Sequence, residues 1–461
     1  MSVEYACIMP HPPLIVPAVG RGEEREIATT IEAMQYVSRQ IAAVKPDTIV
    51  LASPHSVMYA DYIRISPGVS ARGSFARFGA PQVSVETEYD TELVEAIADL
   101  AFEADLRAGT LGEKDASLDH GTLVPLYFIE QHIKDYKLVR VSLSGQPLIV
   151  HYRFGQLVAQ AAKRLGRRIV FVASGDLSHR LKADGPYGYA PEGPEFDKRV
   201  TDAMKTGDFM AFLRMGESFC EAAGECGLRA FIEMAGALDG RAVTPDFRSY
   251  EGPFGVGYAV CGYAVGGPDE NRRFGQIYEE ERAAELAAVK AGEDAYVKLA
   301  RLSLETYVKT GKRAAMPDDL PEEMTARRAG VFVSLKKDGR LRGCIGTISP
   351  TAGSIAEEIM NNAVSAGTGD PRFDPVTEEE LPYLVYSVDV LSEPEPISSM
   401  DELDPKRYGV IVSKGHRRGL LLPNLEGVDT VRQQVDIALQ KAGIRPDESY
   451  SMERFEVVRH K

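Results

Sequence analysis

Two short, almost wholly apolar runs, Thr48–Ala52 (TIVLA) and Ile169–Ala173 (IVFVA), constrain the fold more than any other feature. A strand with apolar side chains at successive positions is buried on both faces, as in sheets covered by helices on each side. Further strands are expected at Tyr5–Met9 and Leu138–Leu143. Helical spacing fills the intervals at Glu23–Val44, Glu92–Phe102, Phe154–Leu165, Phe196–Arg214 and Cys220–Leu238. Strands alternating with helices point to an α/β domain.

At 461 residues the chain exceeds one ordinary core. Its texture changes near Gly266, where GGPDENRRFGQIYEEERAAEL passes from glycine and proline into dense charge. We therefore expect a first domain over 1–265, a linker over 266–282 and a second domain over 283–461. The second is a smaller α+β domain: a helix over Ala283–Thr310, a hairpin flanking Lys336–Gly339, a helix over Ile355–Ser365, and strands at Leu384–Leu391 and Gly409–Val412.

Lys and Arg number 53 against 68 Asp and Glu, giving −15 with no basic run. That balance disfavours nucleic acid and anionic membrane as partners. The apolar stretch Gly255–Gly267 is too short to span a bilayer, and MSVEYACIMPHPP lacks the pattern of a signal peptide. Five scattered cysteines without a CxxC suit reduced thiols, so a cytoplasmic location is expected. No zinc-finger spacing is present.

The eight histidines are placed informatively. His11 follows the first strand in Met-Pro-His-Pro-Pro, and His55 follows the second in Ala-Ser-Pro-His-Ser. His179 follows Ile169–Ala173 in Ser-Gly-Asp-Leu-Ser-His. In open α/β sheets, ligands sit outside the carboxyl ends of strands. Proline stiffens the loops of His11 and His55, and preset geometry suits metal ligands. Taken singly, His11 or His55 reads as a turn or satisfied surface residue; together, in equivalent positions after strands, they read as a metal pair. A third, carboxylate ligand would complete a facial triad with open positions. Glu225 is the candidate, between the glycines of Ala-Gly-Glu-Cys-Gly, which imply a close backbone approach. Cys226 is its rival, and a thiolate would favour zinc or copper. His179 suits proton transfer, with Asp176 orienting it or capping the next helix. His120 joins the same edge. His132, His151, His416 and His460 read as structural or surface residues.

These motifs resemble a known family. His11 with its prolines, SPHS at His55, DHGTLVPL at His120, SGDLSH at His179, AGECGLRAF at Glu225 and YEGPFGVGYAV from Tyr250 resemble the class III extradiol dioxygenases, the LigB-type superfamily that includes the Memo proteins. The resemblance spans nearly all of 1–265 and implies a mixed sheet flanked by helices. It implies Fe(II), with zinc or copper as alternatives, on His11, His55 and Glu225. His179 would be the acid/base and His120 a second histidine in the pocket. The implied reaction is O₂-dependent opening of a small catechol-like ring. Memo-like members carry cysteine at the third ligand position, which keeps Cys226 open and offers a metal-binding redox or maturation protein without ring cleavage as the alternative. A non-catalytic scaffold is a second alternative.

LRGCIG (Leu341–Gly346), GDPRF (Gly369–Phe373), LPYLVYSVDVLSEPEPI from Leu381 and RRGLLLP (Arg417–Pro423) resemble the AMMECR-type domain. Together the two domains resemble the AmmeMemoRadiSam system, which implies a radical-SAM partner protein. Homo-oligomers are also expected. Cys344 within LRGCIG reads as a buried structural thiol unless a cation faces it.

Overall fold

The computed structural model describes residues 2–114, 117–425 and 427–461. Two compact units emerge, one ending at Glu281 and the other beginning at Arg282.

The first unit runs β1 (Val3–Met9), α1 (Ala28–Val44), β2 (Thr48–Ser53), α2 (Thr91–Glu103), α3 (His120–Ile129), β3 (Lys137–Ser142), α4 (Leu148–Leu165), β4 (Ile169–Ser174), α5 (Glu192–Thr206), α6 (Leu228–Ala237), β5 (Arg241–Glu251) and β6 (Tyr258–Pro268). Its six-stranded sheet has the order β3-β2-β4-β1-β6-β5. The first four strands are parallel; β6 is antiparallel to β1 and β5 to β6. The sheet is therefore mixed and covered on both faces.

The unbroken apolar runs follow from that layering. Every residue of β2 and β4 is buried. Val50, Ala52 and Phe171 meet Ile97, Phe154, Val158, Phe196 and Phe231 of α2, α4, α5 and α6. The alternate residues Ile49, Leu51, Val170 and Val172 meet Met34, Val37 and Ile41 of α1 and Leu123 and Phe128 of α3.

The expected linker over 266–282 is corrected by the structure. Strand β6 pairs with β5 as far as Pro268 opposite Arg241. Helix α7 (Phe274–Gly292) begins soon after, and Phe274, Ile277 and Tyr278 pack on the first core. The glycines are absorbed at a sheet end, and the charges decorate a helix that crosses the unit boundary. The long helix expected over Ala283–Thr310 is two helices. Asp294 interrupts it, its carboxylate accepting the Tyr296 and Val297 amides to cap α8 (Ala295–Thr310).

The second unit continues with β7 (Val331–Lys337), β8 (Arg340–Gly346), α9 (Ile355–Thr368), β9 (Leu384–Leu391), β10 (Glu395–Ile397), β11 (Gly409–Lys414), β12 (Arg417–Leu421), α10 (Val431–Ala442), β13 (Ser451–Phe455) and β14 (Val457–His460). Two four-stranded sheets result, ordered β8-β7-β9-β14 and β10-β13-β11-β12. The β7–β8 turn holds Asp338 and Gly339 at φ 52° and 77°, the left-handed pair that a tight hairpin needs. Helix α9 covers Val331, Val333 and Leu335 of the first sheet. Helix α10 covers Val410, Val412 and Leu421 of the second. Among the described residues, no helix is long and apolar enough to cross a membrane.

Candidate metal centre

Parallel neighbours in register deliver three loops to one place. β4 lies between β2 and β1, with Ala52 beside Ala173 and Met9 beside Ser174. The segments after Met9, Ser53 and Ser174 therefore leave the same carboxyl edge together, carrying His11, His55 and His179. Helix α3 brings His120 to them. Its cap is Asp119, whose carboxylate accepts the Thr122 amide at 3.0 Å and the Ser53 hydroxyl at 2.5 Å. The His11 and His55 ring centroids lie 4.8 Å apart, and those of His55 and His120 3.9 Å.

His11 is buried and held at both ends. Its backbone N–H donates to Asp176 Oδ1 at 2.8 Å, and its Nδ1 lies 2.9 Å from Ser174 Oγ. Ser174 gives its own proton to the Gly121 carbonyl at 2.5 Å. The serine oxygen is therefore the acceptor, and His11 carries its proton on Nδ1. The lone pair is left on Nε2. That nitrogen faces His55 Nε2 at 3.0 Å and Cys226 Sγ at 3.7 Å.

His11, His55 and Cys226 present one donor atom each, all within 4.8 Å of one another. Glu225, expected as the third ligand, is not in this group. Its Oε2 accepts the Leu228 amide at 2.7 Å and caps the start of α6. The reason is local backbone geometry. The short helix Glu217–Ala223 ends at Gly224 in the left-handed conformation, φ 66°. The chain then passes so close to the β4 loop that a Cβ on Gly175 would lie 2.2 Å from Gly227 Cα. Pressed against that loop, Cys226 faces the sheet edge, and its Sγ accepts the Asp176 amide at 3.3 Å. The glycines flanking Glu225 do mark a close approach, but they aim the next residue inward.

Asp176 neither orients the His179 ring by a hydrogen bond nor caps a helix. It is buried, holds the His11 backbone, and keeps Oδ2 3.8 Å from His11 Nε2. A ring nitrogen of His179 does lie within 4.8 Å of an Asp176 oxygen and of Cys226 Sγ. His179 Nε2 is buried without a hydrogen-bond partner, and the ring lies 5.1 Å from that of exposed Tyr187. Phe78 stands 5.6 Å from the His120 ring. The cluster opens to solvent at His55.

Burial sets the electrostatics. It lowers the pKa of all four imidazoles, helped at His11 by the rings of His55, His120 and His179. His120 falls to about 4 and His179 to about 4, burial leading and His55 adding to each. Burial pushes Asp176 up to about 7, against the pull of the His11 amide, and raises the Cys226 thiol well above its ordinary value. At neutral pH the rings are uncharged and their lone pairs free, the form in which imidazole binds metal. Two histidine nitrogens and a sulfur around one point fit zinc, copper or iron.

The remaining histidines lie elsewhere. His151 is buried against Glu233 at 2.8 Å, His132 bonds Gln35 at 2.7 Å, and His460 stacks on Tyr296 at 3.7 Å. In the second unit, half-buried Cys344 accepts the Ser334 hydroxyl at 3.2 Å. Arg372 stands beside it and donates to the Cys344 carbonyl at 3.2 Å, and Lys441 and Arg459 also interact with Cys344. Its sequence neighbour Arg342 is turned to Glu380. Ser174 lies in SGDLSH and Arg372 in GDPRF, but only the fold brings these two side chains to their partners.

The fold and the edge cluster define an α/β protein with a histidine-rich, metal-competent site at the carboxyl ends of its parallel strands. The chain belongs to the family of the catalytic LigB subunit of aromatic ring-opening dioxygenases, matched over residues 5–261, and carries an AMMECR1 domain matched over residues 297–460. A protein of Clostridium acetobutylicum is 45% identical over 469 aligned positions, covering 100% of both chains. A Thermotoga maritima protein is 55% identical over 172 residues, 37% of this chain and 99% of its own. A crystal structure of an uncharacterized Pyrococcus horikoshii protein shares 35% identity over 36% of this chain and 88% of that one, with a TM-score of 0.34.

Proposed function

We propose that the LigB-type unit is a metal-dependent redox protein of the Memo-related kind, with a mononuclear ion held by His11 Nε2, His55 Nε2 and Cys226 Sγ. The observation that carries this reading is the position of the sulfur. Cys226 Sγ shares a point with the two imidazoles, while the Glu225 carboxylate is spent on the Leu228 amide. Fe(II) is the ion we assign, with zinc and copper competing for the same donors. When bound, such an ion supplies a Lewis-acidic, redox-active centre with open positions. The protein's part is to fix the donors. Ser174 sets the His11 tautomer, and Asp176 holds the His11 backbone. With this single ion in place, neutral His179 accepts a proton at Nε2 from a hydroxylated substrate and later returns it. His120 lines the opening beside His55.

Ring opening of a small catechol-like substrate with O₂ is the second reading. Family membership favours it, as do the aromatic side chains Phe78 and Tyr187 beside His120 and His179. The AMMECR1 domain makes docking of a radical-SAM protein part of the same proposal.

Anaerobic loading with Fe(II), followed by metal analysis of wild type, Cys226→Ala and Glu225→Ala, tests the ligand set. Bound iron is expected to be lost in Cys226→Ala and kept in Glu225→Ala; the reverse would refute the assignment. A catechol panel under O₂ then separates the readings, since ring-opened product would decide for the dioxygenase.

A further inference from the structure

The three donors just assigned are not the whole of the cluster. Cys226 Sγ belongs to a second group, with one oxygen of Asp176 and one ring nitrogen of His179, again all within 4.8 Å of one another. Asp176 is 7% exposed, so its carboxyl is buried among metal-competent neighbours. His179 Nε2 is a buried polar atom with no hydrogen-bond partner. An unpaired buried donor or acceptor carries an uncompensated desolvation penalty and calls for a physical reason. A buried carboxylate, an imidazole nitrogen and a sulfur around one point are the donor set of a borderline transition ion.

We propose that Asp176, His179 and Cys226 form a second ion subsite, with Cys226 Sγ as a thiolate bridge to the ion on His11 and His55. This rests on the reading of the first ion given above. Sharing one sulfur places the two ions at the spacing of two-metal sites, about 3.5–4 Å. The ion class is a divalent first-row metal that accepts one nitrogen, one oxygen and one sulfur, as zinc and cobalt do. A functional consequence follows for His179. A ring nitrogen that holds an ion cannot also accept a proton. Filling the second subsite removes the base, so the two-ion form is the resting or inhibited form and the one-ion form is the working one.

Anaerobic titration of the full chain with Co(II) tests this, read by metal analysis and by the thiolate-to-cobalt absorption. Wild type is expected to bind two equivalents and to show an EPR signal weakened by coupling between the ions. Asp176→Asn and His179→Ala are expected to bind one. The asparagine keeps an oxygen for the His11 N–H, so the edge stays folded, and thermal melting of both variants checks that it does. The double variant His11→Ala/His55→Ala is expected to retain one equivalent, on the second subsite. One equivalent in wild type, or two in both Asp176→Asn and His179→Ala, would overturn the second subsite and leave the first intact. Two equivalents in the double variant would overturn the first assignment instead, and none in wild type would overturn both.

Discussion

Ser174 Oγ lies 2.9 Å from His11 Nδ1 and donates its own hydrogen to the Gly121 carbonyl at 2.5 Å. One hydroxyl thus joins the end of β4 to the start of α3 and fixes the tautomer of the most buried imidazole at the edge. Partners of this kind typically contribute about 10–100-fold to metal affinity. Ser174→Ala is expected to weaken Fe(II) binding by about that factor, and Ser174→Thr to restore most of it. A competition titration against a calibrated chelator measures both. Unchanged affinity in the alanine variant would show that His11 does not need its proton held.

The approach of Gly175 to Gly227 places Cys226. A Cβ on Gly175 would meet Gly227 Cα at 2.2 Å and the Phe231 ring at 2.9 Å. The first neighbour is backbone and cannot rotate away. Gly175→Ala is expected to force the two loops apart, costing about 1–3 kcal/mol as overpacking does. Iron binding should fall with stability, because the sulfur moves with Gly227. Thermal melting and metal analysis on the same sample check the pair. An alanine variant of wild-type stability and full metal content would mean that the contact does not position the thiol.

How far the sequence carried this reading depends on the range of the forces involved. Continuous burial on two faces is visible at Thr48–Ala52 and Ile169–Ala173, because it leaves every position apolar. The edge cluster of His11, His55, His120 and His179 was legible because parallel strands must release their loops on one side. Glu225 and Cys226 were not separable, since which of two adjacent residues faces inward depends on a left-handed Gly224 and a glycine contact across 52 residues of chain. Strands β5 and β6 went unread for a related reason. β5 is only half-buried and β6 is glycine-rich, so neither shows clean alternation. The linker misreading arose because a charged helix face and a charged linker share one composition.

His151 and Glu233 are both fully buried, 2.8 Å apart. Burial lowers His151 to about 3, and it raises Glu233 well above its ordinary value. His151 Nε2 lies 3.2 Å from the Ser144 carbonyl and donates to it. Nδ1 is then the acceptor, and Glu233 must supply the proton as a neutral acid. Glu233→Gln preserves that donor and is expected to change stability by less than about 1 kcal/mol. Glu233→Ala opens a cavity and strands the imidazole, costing about 2–4 kcal/mol. Urea unfolding at pH 7 measures both. A large loss in the glutamine variant would mean that the pair is ionic.

Glu380 gives the second unit an acid-sensitive clasp. Burial alone would raise its pKa, but bonds from Arg342, the Thr377 N–H and Lys337 outweigh burial and hold it at about 2. The folded value lies below that of an unfolded glutamate, near 4.5. Between the two values the unfolded chain binds the extra proton, so stability rises with pH across that window. The contribution is therefore complete above about pH 4.5 and lost as pH falls toward about 2. Because the carboxylate is partly exposed, solvent screening reduces the effect below what an isolated buried pair would show. Glu380→Gln is expected to lower the melting temperature of the second unit at pH 7 while flattening its decline between pH 5 and pH 3. Melting curves of wild type and variant across that range, followed by a probe in the second unit, test it. Parallel acid limbs for the two proteins would mean that other carboxylates govern the transition.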